Sequence, residues 1–139
     1  MLENVPPTAT GRIYRDHIRM ILAKDIDGLL AQYAEDAVLI SSFERVPKVF
    51  RGHAELREHF AGILAIEGLK DEVGFWGEFD GAETGHAEGL AGLMITEGIE
   101  MTAGGQSARM RFADSWVLRD GRIVIHFAGM VQYPDGTLS

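Results

Sequence analysis

The 139-residue chain contains no cysteine. That excludes disulfides, iron–sulfur clusters, thiolate zinc sites and cysteine nucleophiles. Proline is scarce, with four residues, and no apolar run approaches the ~18 residues of a membrane span. A basic, then apolar, then small-residue leader is also missing, so the expected address is the cytosol, with no membrane partner. Basic side chains are few: 13 Lys and Arg against 21 Asp and Glu leave a formal charge of −8. Such a surface repels a phosphate backbone and argues against nucleic acid as a partner. The patterns G-x-x-x-x-G-K-S/T, G-x-G-x-x-G opening a helix, H-E-x-x-H and G-x-S-x-G do not occur, which removes the common nucleotide, zinc-protease and serine-hydrolase readings. The five histidines never fall at i, i+3 or i+4 spacing. A compact metal site is therefore not expected, and no cofactor is implied.

What is present suits one hydrophobic core. With 46% hydrophobic residues the chain is long enough for a single domain and too short for two. The expected division is an N-terminal arm over 1–10, one domain over 11–133 and a tail over 134–139. The opening "MLENVPPTAT" has a proline pair and little periodicity, hence the arm. A first helix follows, with Ile13, His17, Met20 and Ile21 on one flank and Tyr14, Ile18 and Leu22 beside them. "AKDIDGLLAQYAEDAVLI" offers Asp25 as an N-cap, a short second helix carrying Ile26, Leu29, Leu30 and Tyr33, and a strand from Ala37 towards Ser41. In "VFRGHAELREHFAGILAIEG", Leu56, Phe60, Ile63 and Leu64 predict a third helix ending before Gly68. His53 and His59, among Glu55, Arg57 and Glu58, read as part of its solvated face.

The pattern then changes to β. "DEVGFWGEFDGAE", "TGHAEGLAGLMITEGIEMTA", a Gly104-Gly105 turn and the hairpin "RMRFADSWVLRDGRIVIHF" read as antiparallel strands. Gly85, Gly89, Gly92 and Gly98 predict a bulge or sharp bend in the second of these. Helices first and strands afterwards make an α+β domain, with a curved sheet covering helices on one face. In the last strand Ile123, Ile125 and Phe127 alternate with Val124, His126, Ala128 and Met130, so both faces are apolar. Such a strand is covered on both sides or lies in a subunit interface, which favours a homodimer through the sheet.

"AKDIDGLLAQYAEDAVL", "FRGHAELREHF" and "DSWVLRDGRIVIHF", in this order, resemble the nuclear transport factor 2-like superfamily, which holds ketosteroid isomerase and the SnoaL-like polyketide cyclases. The likeness runs from about residue 12 to 131 and rests on the succession, each motif being weak alone. It implies a cone: a strongly bent, mainly antiparallel sheet wrapped around three helices from the N-terminal half, with a pocket at its open end, commonly in a dimer. The isomerase's hydrogen-bonding tyrosine falls at His17, its general-base aspartate at Ser41 and its protonated oxyanion-hole aspartate at Asp114. Only the last is kept, and the resemblance implies for it an acid held neutral by apolar surroundings. A serine at 41 cannot serve as a base near neutral pH without an activating neighbour.

Asp114 shares a strand face with Met110, Phe112, Trp116 and Leu118, an expensive place for a lone carboxylate. Its partner depends on one turn. With a two-residue Asp120-Gly121 turn, Arg119 pairs with Arg122 and Asp114 shares a face with Phe127. With a three-residue Arg119-Asp120-Gly121 loop, Asp114 stands opposite His126. The isomerase alignment favours the second, which also avoids pairing two arginines. A carboxylate beside an imidazole fixes its tautomer and raises its basicity, while burial lowers it, so the pair can move protons near neutral pH. Alternatively, the two simply satisfy each other in a core. The candidate catalytic residues are Asp114, His126 and His17, and the candidate ligand-binding residues Tyr14, Tyr33, Ser41, Phe43 and Trp116. The expected activity is cofactor-independent proton transfer on a hydrophobic small molecule, as an isomerase, cyclase, dehydratase or hydrolase. The alternative is a non-catalytic ligand-binding or dimerisation module of the same fold.

Overall fold

The computed structural model describes residues 2–42, 46–65, 70–103 and 106–131. A 3₁₀ turn at Leu2–Asn4 precedes helices α1 (Ala9–Ala23) and α2 (Ile26–Ala31), strands β1 (Tyr33–Ser41) and β2 (Lys48–Arg51), and helix α3 (Gly52–Leu64). Strands β3 (Lys70–Asp80), β4 (Leu90–Ala103), β5 (Gln106–Arg119) and β6 (Arg122–Val131) follow. They form one open sheet in the order β2-β1-β6-β5-β4-β3, antiparallel except for the parallel β1–β6 pair. The α+β class and the strand-rich C-terminal half thus match the reading of the sequence.

Local chemistry sets the helix ends. Thr8 caps α1 by accepting from the Gly11 amide, and Lys24 closes it in a left-handed conformation. Asp25 caps α2 through the Gly28 amide at 2.9 Å. On α1 the buried residues Gly11, Tyr14, His17 and Ile18 follow the helical period. α3 likewise buries Leu56, His59, Phe60 and Leu64. Gly68, the Gly104-Gly105 turn and the tail from 134 lie outside the described residues.

Four expectations are corrected. Residues 1–10 are not all a loose arm: Val5 is in the core, and its carbonyl accepts from Arg15 Nη1 at 2.8 Å. A methyl added at Gly11 would lie 2.0 Å from the Pro6 carbonyl oxygen, so this segment rests closely on the start of α1. Tyr33 belongs to β1, not α2, and the strand opens there rather than at Ala37. The cause is capture by β6: the Ile123 amide donates to the Gln32 carbonyl at 2.9 Å, and Tyr33 pairs with Ile123. The third concerns the segment 84–103, read as a strand with a bend: it bends at Gly85 and Gly89, both with positive φ, but these lie in a loop, the strand starts only at Leu90, and the register slip falls in β3 between Val73 and Phe75.

The fourth is the β5–β6 turn. It is the two-residue form: Arg119 pairs with Arg122, and Asp120 and Gly121 both have positive φ, at 51° and 78°. Aspartate tolerates this conformation and glycine adopts it freely, while both arginines stay in water, where their repulsion is screened. The phase is then changed by a bulge farther along. Leu118 faces Ile123 but Val117 faces Ile125, leaving Val124 as the extra residue. His126 therefore lies on the same face as Asp114, although its direct partner is Trp116 and that of Asp114 is Ala128.

The helices pack on one face of the sheet, where Tyr14, Leu39, Ile95, Trp116 and Ile123 are inaccessible or nearly so. The opposite face carries Val49, Met94, Ile125 and Phe127, each close to half exposed. No helix among the described residues is long and apolar enough to cross a membrane.

Candidate functional site

Three strands and two helices bring the site together. Across the inner face, Leu39, His126 and Trp116 form one row of β1, β6 and β5, and Ser41, Ala128 and Asp114 form the next. Above these rows lie His17 from α1 and Phe60 from α3. The His17 ring stands 4.7 Å from Trp116, 6.0 Å from Phe60 and 6.3 Å from both Tyr33 and His126. Tyr14 closes the far side of Trp116 at 5.9 Å. The result is an aromatic box with a few polar atoms inside.

His126 is the hub. Its Nδ1 shares a 2.7 Å hydrogen bond with the Tyr33 hydroxyl, and its Nε2 stands 3.5 Å from Asp114 Oδ2. The second distance is that of an ion pair rather than of a good hydrogen bond, and Nε2 has no hydrogen-bond partner. Asp114 Oδ1 and Trp116 Nε1 are also buried without one. Three unsatisfied polar atoms on one inner face are uncommon, since each costs desolvation that nothing among the described residues returns. The Asp114 side chain keeps 14% of its exposure and that of His126 4%. The series Tyr33, His126, Asp114 thus runs from the core to a carboxyl group that water can still reach.

Electrostatics follow from burial. Burial, then the nearby His126, lowers the His17 pKa to about 3, against the opposing hydrogen bond to Gln32. The same two causes lower His59 to about 4. Burial, then the charge of Asp114, raises the Tyr33 hydroxyl well above its ordinary value, so it keeps its proton near neutral pH. Near neutral pH the His17 and His59 rings are therefore uncharged and the Tyr33 phenol keeps its proton.

Of the residues singled out from the sequence, His17, Tyr14, Tyr33, Trp116, His126 and Asp114 meet in this cluster. Ser41 is buried on the inner face in the row of Asp114. Phe43 lies outside the described residues, as do the side chains of Met110 and Phe112. His59 is a correction: it is buried, with its ring 4.9 Å from Phe50 and 5.4 Å from Phe60, rather than on a solvated face. Its position three residues after Leu56 and next to Phe60 was the available signal. His53 is held too, with Nε2 donating to the Tyr33 carbonyl at 3.0 Å. Gln32, which joins α1 to this site, had no sequence signal. Among the described residues no group of three or more His, Cys, Asp or Glu could hold a metal ion. An open groove of about 380 Å³ between α2 and α3, lined by Asp27, Leu30, His53 and Arg57 among others, includes none of these site residues.

The profile of the SnoaL-like domain matches residues 14–126. No curated protein matches the chain. Among solved structures, a candidate dehydratase of the NTF2-like family from Streptomyces avermitilis is 15% identical, with 90% of this chain and 96% of that chain covered and a TM-score of 0.73. An LEH-like epoxide hydrolase from M. tuberculosis is 16% identical over 91% and 87%, with a TM-score of 0.65. An NTF2-like protein of unknown function from Pseudomonas putida is 15% identical over 85% and 81%, with a TM-score of 0.63. At these identities the likeness is one of fold.

Proposed function

The chain belongs to the SnoaL-like domain family of the NTF2-like superfamily, and we propose that it is a small cofactor-independent enzyme that moves protons on a hydrophobic small molecule. One observation carries this reading: the proton-carrying groups of Asp114, His126 and Tyr33 follow one another at 3.5 and 2.7 Å, while Asp114 Oδ1, His126 Nε2 and the neighbouring Trp116 Nε1 are left without a hydrogen-bond partner. A structural core would pair such groups; a binding site keeps them for a guest. The epoxide hydrolase and the candidate dehydratase of similar fold support an enzymatic reading without selecting a reaction. Isomerisation, cyclisation, dehydration and hydrolysis all stay within it.

In this mechanism Asp114, the group nearest water, takes or gives the substrate proton. His126 shares that proton through Nε2, and the Tyr33 hydroxyl holds its ring by Nδ1. Trp116 Nε1–H is a donor for a substrate oxygen, and Tyr14 and Phe60 supply apolar walls. Ser41 lies close enough in register to line the site without acting as the base. The protein works as a homodimer formed through the outer sheet face, where Val49, Met94, Ile125 and Phe127 are left exposed.

The alternative, a non-catalytic module of the same fold, is favoured by the tight packing of Tyr14 against Trp116, which are 0% and 1% exposed. Deuterium exchange at enolisable cyclic ketones separates the two. The wild type should accelerate exchange and Asp114→Asn, verified as folded by circular dichroism, should lose it by ~10²-fold or more. Equal exchange in both proteins would remove Asp114 from the chemistry.

A further inference from the structure

Gln32 follows α2 and makes hydrogen bonds with both ends of its amide. Nε2 donates to the Ile13 carbonyl at 2.9 Å, and Oε1 meets His17 Nδ1 at 2.9 Å. The orientation is unambiguous, because the Ile13 carbonyl can only accept, which assigns the amide nitrogen to it. Oε1 is left for His17, and it too can only accept. His17 Nδ1 must therefore carry a hydrogen, and a neutral ring with hydrogen on Nδ1 has its lone pair on Nε2. Burial in the box keeps the ring neutral.

We propose that Gln32 is a positioning residue that locks His17 in its Nδ1–H tautomer, making Nε2 the acceptor that receives a hydroxyl or enol group of a ligand in the aromatic box. His17 and Trp116 then have complementary duties. Trp116 Nε1 can only donate, so it meets a ligand oxygen, while His17 Nε2 can only accept, so it meets a ligand O–H. A neutral ring compound carrying an acceptor oxygen and a hydroxyl or enol satisfies both. This ligand class rests on the enzyme reading above or on the binding alternative; the tautomer rests on neither.

Imidazole ¹⁵N spectra of the labelled, ligand-free full chain at neutral pH test the tautomer directly. His17 should show a protonated Nδ1 and an unprotonated Nε2. Gln32→Met removes the acceptor at nearly constant shape, and should move His17 towards Nε2–H. Gln32→Glu keeps an oxygen for Nδ1–H and should restore the wild-type pattern. A wild-type His17 protonated at Nε2, or an unchanged tautomer in Gln32→Met, overturns the proposal; should that variant not fold, the wild-type and Gln32→Glu spectra decide. Phenol and anisole, the same ring with and without O–H, test the ligand class. Phenol should bind about tenfold more tightly and shift His17 Nε2. Equal binding overturns that part alone, and activity lost or kept in Asp114→Asn bears only on the enzyme reading.

Discussion

Acid should weaken this fold through two histidines. His17 and His59 have folded-state pKa values of about 3 and about 4 against the ordinary 6.5. Between those limits the unfolded chain binds protons that the folded chain refuses, so stability rises with pH. Their contribution is fully present above pH 6.5 and is lost as pH falls towards the folded values. At pH 5 the unfolded chain gains about 2 kcal/mol from protonating each ring, or about 4 kcal/mol together. That is much of the roughly 5–15 kcal/mol that holds an ordinary domain. Urea denaturation followed by fluorescence of the two tryptophans, at pH 8 and pH 5, measures the loss. His17→Gln, which cannot titrate, should remove about half of the pH dependence, and His59→Phe a similar part. A wild-type loss below about 1 kcal/mol between these pH values, or an undiminished slope in both variants, would refute neutral burial as the cause.

Other perturbations test other links. Tyr33→Phe deletes the hydroxyl on His126, and should lower ketone exchange while costing about 1 kcal/mol in a urea melt; unchanged exchange would take Tyr33 out of the series. Gly121→Ala places a methyl group at a φ of 78° and should destabilise the hairpin by about 1–2 kcal/mol, read as a lower denaturation midpoint. Gly11→Ala pushes against the Pro6 carbonyl and should cost about 1–3 kcal/mol, whereas a loose N-terminal arm would leave stability unchanged. Phe127→Asp on the outer face should halve the mass seen by light scattering and keep a native circular dichroism spectrum; a wild-type protein already monomeric at micromolar concentration would contradict the dimer.

The parts of this protein legible along the chain are those governed by near neighbours. The period of Leu56, Phe60 and Leu64 located α3, the Asp25 cap located α2, and the Asp120-Gly121 pair located the last turn, because capping, amphipathicity and turn conformation depend on residues a few places apart. The apolar company of Asp114 pointed to the inner face for the same reason. The relation between distant segments was decided by tertiary packing alone. Whether His126 faces in or out depends on one extra residue, Val124, and a bulge there reverses the outcome of the turn. Tyr33 left the helix for a strand because β6 captured Gln32 and Tyr33, and Gln32 reached His17 because α2 folded back along α1. A strand's side-chain phase is a parity, so a single insertion changes it entirely, and a hydrogen bond across 15 residues of sequence leaves no periodic trace. That is why the chemical constituents could be named from the chain while their partners emerged only when the sheet closed over the helices.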